Sequence, residues 1–130
     1  MNTRVIISSV LFFLSFPPFN FWYLIFPSLF FFYSGILLSS KPFLSGLVFG
    51  AISFGVILFG IQSIGYEAWI PLSILMGLLY GFYGKLFKFI AVKINNNFFI
   101  LIGIISAFDL LRAYFPFGGF PWGSTSTVLI

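Results

Sequence analysis

Asp109 and Arg112 are the two residues of this chain whose types and spacing most readily suggest chemistry. Three positions apart in an apolar stretch, they fall on one helical turn, so the carboxylate and the guanidinium can pair on one face. An ionisable pair inside a lipid-soluble stretch is costly, which favours a functional role. The stretch then runs into a turn of glycine, proline and aromatic residues, 115–123. Glycine there permits close backbone approach, and the edge of Trp122 could line a lipid or peptide groove. Asp109, Arg112, Gly119, Phe120, Pro121 and Trp122 are therefore the candidate binding residues. The plainer alternative is a self-paired interfacial ion pair with a snorkelling arginine, beside a tryptophan of the aromatic belt.

Little other chemistry is open to the chain. It has no cysteine and no histidine among its 130 residues, which excludes disulfides, a thiol nucleophile, an imidazole base and ordinary zinc sites. Its only carboxylates are Glu67 and Asp109, and nothing in the sequence places them together. Glu67 reads as a solvated loop charge. No catalytic residue, metal or cofactor is expected. The net charge is +4, but the basic residues are scattered singly, so nucleic-acid binding has little electrostatic basis.

The elements that must position Asp109 and Arg112 are apolar throughout. The chain is 61% hydrophobic and 6% charged, with a mean hydropathy of +1.17. Soluble domains carry roughly 25% charged residues. The composition predicts an all-α, polytopic membrane bundle forming a single domain, 1–130, of about five transmembrane helices. Their predicted bounds are 3–16, 21–39, 43–64, 70–90 and 98–114. The first is short for a span, which needs about 20 apolar residues. No small-residue cleavage site follows it, so it reads as a retained span rather than a signal peptide. Pro17 and Pro18 stop it, and Asn20 is the expected cap of the next helix. Pro27 predicts a kink in the second span. Gly46 with Gly50, and Gly77 with Gly81, form two G-x-x-x-G pairs suited to close helix packing. Ser124 to Ile130 resembles the start of something further.

Charge sets the expected orientation. With a cytoplasmic N-terminus, Arg4, Lys41, Lys85, Lys88 and Lys93 all lie inside, as the positive-inside rule favours. The last three also suit contact with anionic lipid. Arg112 alone lies outside, with Glu67 and the turn at 115–123.

Together these stretches resemble the N-terminal membrane region of bacterial apolipoprotein N-acyltransferase. Phe16, Pro17, Pro18 and Phe19 match its F-P-P-F turn after a short first span, with Trp22 at a fitting distance. Lys41 to Gly50 matches a basic turn leading into a glycine-rich third span. Asp109 and Arg112 fall near an acid and an arginine at the end of a helix that runs into G-F-P-W, matched by Gly119, Phe120, Pro121 and Trp122. Asp stands where the family usually has Glu, and Ser124 to Thr127 replaces its G-Y-S-Q.

The resemblance implies a place in the bacterial inner membrane, with a phospholipid acyl donor and a lipoprotein substrate as partners. It also implies a nitrilase-like catalytic domain with a Glu-Lys-Cys triad, which makes a thioester and passes the acyl chain to the lipoprotein's N-terminal cysteine amine. This chain lacks that domain, so it is expected to be truncated, or split from a separate catalytic subunit, and inactive alone. In that reading Arg112 meets a lipid phosphate, Asp109 orients it and Trp122 lines the entrance. The competing expectation is a non-enzymatic scaffold or transporter-like subunit oligomerising through its G-x-x-x-G faces, or a gene remnant.

Overall fold

Five α-helices joined by short connections make up the described part of the chain, in a computed structural model that describes residues 3–59 and 65–115. They are α1 (Thr3–Leu14), α2 (Ile25–Leu38), α3 (Pro42–Ile57), α4 (Tyr66–Lys93) and α5 (Phe98–Tyr114), with a 3-10 turn, Trp22–Leu24, leading into α2. No strand occurs among the described residues. The all-α expectation holds.

The helix ends depart from the expected bounds for local reasons. Asn20 does not cap the second helix: it takes a left-handed φ of 58°, which asparagine tolerates, and helps reverse the chain after the cis Pro17–Pro18 bond. Pro27 falls in the first turn of α2, where a missing amide donor is harmless, so the expected mid-helix kink has no basis. Pro71 instead is the internal proline, because α4 begins at Tyr66 rather than at residue 70. Glu67 lies exposed in the first turn of α4, where a negative charge suits the helix dipole. Asn95 and Asn96 both take positive φ, and Asn97 caps α5 by accepting from the amides of Phe99 (3.1 Å) and Ile100 (3.4 Å).

Alternating helix directions bring the chain's small residues face to face. Gly46 and Gly50 of α3 pack on Gly77, Gly81 and Gly84 of α4. A Cβ added at Gly50 would lie 2.6 Å from the Met76 carbonyl oxygen and 3.0 Å from the Cα of Gly77. One at Gly46 would run into the Tyr80 carbonyl oxygen. Both G-x-x-x-G faces are thus occupied by one another within a single chain. That leaves neither for the expected oligomer contact.

A polar clasp joins α1 and α2. Ser8 Oγ donates to the Ser28 carbonyl oxygen at 2.8 Å, and Ser28 Oγ donates to the Ser8 carbonyl oxygen at 2.9 Å, both buried. Nearby, a Cβ at Gly35 would meet the Val5 side chain at 2.8 Å. Ser28→Ala removes one of these two bonds, and should lower unfolding stability by about 1 kcal/mol, measured by reversible unfolding in bicelles. An unchanged stability would mean that the clasp does not hold the pair together.

Aromatic rings fill the centre. Phe32 and Phe49 lie 4.2 Å apart between centroids, Phe49 and Tyr80 5.2 Å, and the Tyr83 hydroxyl donates to the Tyr33 hydroxyl at 3.1 Å. The outer faces are apolar too. On α4, Ile70, Ile74, Leu78, Phe82, Leu86 and Phe89 form an exposed stripe, opposite the buried Met76, Tyr80, Tyr83 and Phe87. Among the described residues α4 is the one helix long and apolar enough by itself to cross a membrane. α1, with its 12 residues, reaches only about 18 Å.

Candidate functional site

α5 carries both candidate charges and packs on the bundle through Leu101, Ile104, Ile105 and Phe108. Phe108 stacks on Tyr83 with centroids 3.8 Å apart and planes 16° from parallel, and its edge meets Tyr80 at 5.3 Å. One turn further on, Arg112 points into the protein and is 1% exposed. Its Nη2 lies 3.6 Å from Asp109 Oδ1, an ion pair rather than a close hydrogen bond. Its guanidinium carbon lies 5.3 Å from the centroid of the Phe54 ring and 6.0 Å from that of Tyr80. Both distances suit attraction between a cation and a ring face.

The spacing expected from the sequence is therefore realised, while the snorkelling arginine is not. Asp109 is the more accessible partner, its side chain 23% exposed. Arg112 binds α5 to both α3 and α4. Tyr33, Ile105, Phe108 and Asp109 border a residual space of about 10 Å³, no more than one water could fill.

Phe54, Tyr80, Tyr83 and Phe108 are the site residues that sequence reasoning missed. A usable signal was present at Tyr80 and Tyr83, which put polar tips in the middle of an apolar helix on the face that carries Gly77, Gly81 and Gly84. Gly119, Phe120, Pro121 and Trp122, expected beside the ion pair, lie outside the described residues.

A cleft of about 760 Å³ opens at the same end of the bundle. Pro17 and Phe19 of the α1–α2 connection, Val56 near the end of α3, Phe59 just beyond it, and Trp69 and Ile74 of α4 form its walls. The Trp69 indole nitrogen donates to the Gly55 carbonyl oxygen at 2.9 Å, which fixes the ring as one side. Such a space suits a hydrocarbon chain rather than a charged ligand. Among the described residues no group of side chains could hold a metal ion.

No curated protein and no solved structure matches the chain. The family described as apolipoprotein N-acyltransferase N-terminal domain matches it over residues 8–130. A match over nearly the whole length, on an all-helical chain of this composition, identifies it: the protein belongs to the apolipoprotein N-acyltransferase family through that family's N-terminal domain, and with it to membrane-associated lipoprotein biosynthesis.

Proposed function

We propose that this chain is the multi-pass membrane portion of a bacterial lipoprotein N-acyltransferase, a single transmembrane domain over residues 1–130. It sits in the inner membrane with its N-terminus cytoplasmic and holds the acyl chains of the phospholipid donor and the lipoprotein substrate. The observation that carries this reading is the apolar cleft of about 760 Å³ at the end of the bundle that also holds the ion pair, in a chain of this family. The apolar outer faces support five spans, since a helix that is apolar all round needs lipid or protein on every side. Helices α1 to α3, of 12 to 16 residues, fit with local thinning of the bilayer at modest cost. The alternation of directions gathers Arg4, Lys41, Lys85, Lys88 and Lys93 at one end, which supports a cytoplasmic N-terminus.

Transfer of an acyl chain through a thioester needs a cysteine, and none of these 130 residues is one. The nucleophile in this reading belongs to a nitrilase-like domain that works with the bundle, whether joined to it or separate. Asp109 and Arg112, with Gly119, Phe120, Pro121 and Trp122, are the candidate lipid-binding residues. Arg112 serves a phosphate there when the headgroup displaces Asp109 from its guanidinium.

Complementation tests the proposal. Cells depleted of lipoprotein N-acyltransferase would express this chain with and without a separately supplied catalytic domain, and mass spectrometry would read a lipoprotein N-terminus. Triacylation only when both pieces are present is the expected result. No triacylation in either arm, with the chain verified in the membrane, would leave a scaffold without acyl-transfer function.

A further inference from the structure

We infer a second lipid site at the opposite end of the bundle, where a cavity under the α2–α3 turn takes the phosphate headgroup of an anionic phospholipid. The cavity measures about 390 Å³. Ser39, Ser40, Lys41 and Ser45 form its polar wall, and Val5 and Leu44 part of its apolar one. It is thus lined for a ligand with a polar head and an apolar body. That favours a phospholipid over free phosphate.

The turn is built rather than incidental. Ser39 Oγ lies 2.7 Å from Ser45 Oγ and accepts from the Lys41 amide at 3.1 Å. Lys88, reaching from α4, donates through Nζ to the Ser39 carbonyl oxygen. One cation is therefore fixed at the turn, and a second, Lys41, stands exposed at the cavity wall. Lys85 and Lys93 lie on the same third of α4.

Charge decides the class of ligand. The whole chain has two acidic side chains, and both lie toward the other end, Glu67 in the first turn of α4 and Asp109 near the end of α5. No carboxylate side chain is left to balance the lysines here, so an anion from outside the chain does. A phosphodiester at the depth of the interface fits Lys41 and the hydroxyls of the wall, with its acyl chains against the apolar side. The site presupposes that the bundle lies in a bilayer, but it is independent of acyl transfer.

The test uses the full chain reconstituted in nanodiscs of equimolar phosphatidylglycerol and phosphatidylcholine. Co-purifying lipids are counted by native mass spectrometry after extraction into detergent. Retention of phosphatidylglycerol over phosphatidylcholine is expected, falling about fivefold in Lys41→Gln. Lys41 is exposed, so this variant should fold as the parent does. Lys93→Gln, whose residue is not part of the cavity wall, should keep most of the preference. Equal retention of the two lipids by the parent chain, or an unchanged preference in Lys41→Gln, would overturn the site even if the protein inserts normally. Displacement of the lipid by inorganic phosphate would overturn the lipid assignment in favour of a free anion. Failure of the chain to insert at all would instead count against the membrane reading on which the site rests.

Discussion

Gly46→Leu should separate α3 from α4 and cost the bundle about 3 kcal/mol or more. The reason is geometric. At Gly46 even a methyl group would overlap the Tyr80 carbonyl oxygen and crowd the Cα of Gly81, so the obstacle is the backbone of a neighbouring helix. A flexible side chain could swing aside, but a helix backbone moves only as a unit. Gly55→Ala provides the contrast. Nothing lies within 4 Å of a Cβ there, and alanine is the better helix former by about 1 kcal/mol, so that variant should be neutral or slightly stabilising.

Cross-linking would report the separation directly, because the chain has no native cysteine to interfere. A Cβ at Gly77 would lie 3.3 Å from the Ala51 Cβ, close to the separation a disulfide needs. The pair Ala51→Cys and Gly77→Cys should therefore oxidise efficiently in the parent background and poorly with Gly46→Leu. Equal cross-linking in both backgrounds would show that α3 and α4 do not meet through their glycines.

The second large effect is expected at Arg112. Arg112→Ala removes a buried side chain from between Phe54 and Tyr80 and leaves Asp109 without this cation, a loss of about 2–4 kcal/mol in unfolding stability. The electrostatic share is moderated because Asp109 is partly exposed to its surroundings. Replacing both charges together, Asp109→Leu with Arg112→Met, should recover most of the stability, since apolar residues of similar volume often substitute for a buried ion pair at no net cost.

That double variant also separates two roles. If the pair only fastens α5 to α3 and α4, the stable double variant will still support triacylation alongside a catalytic domain. If Arg112 also meets a lipid phosphate, the double variant will fold and yet fail to support triacylation. Arg112→Ala alone cannot make this distinction, because lost stability and lost binding would look the same.

What the sequence determined by itself was local and compositional. Scarce charge and abundant apolar residues dictate helices and a lipid-like environment, because little else satisfies the backbone of such a chain. Pro17 with Pro18, Lys41 with Pro42, and Asn95 to Asn97 punctuate it where the helices stop or start. The helical spacing of Asp109 and Arg112 was legible for the same reason, as it depends on one turn of one helix.

Facing and partnership were decided by the tertiary structure alone. In a soluble helix the polar face marks the outside, but α3 is apolar nearly all round and α4 carries its charges only in its first turn and last third, so hydropathy by itself does not say which side turns inward. Glycine spacing showed that some close packing was available and could not name the partner, so the pairing of Gly46 and Gly50 with Gly77 and Gly81 became visible only in three dimensions. Ser8 found Ser28, and Tyr33 found Tyr83, across separate helices. Arg112 was readable as an unusual charge near the end of a helix. That it lies buried over Phe54 and Tyr80 depends on where α3 and α4 sit relative to α5, which no local pattern encodes.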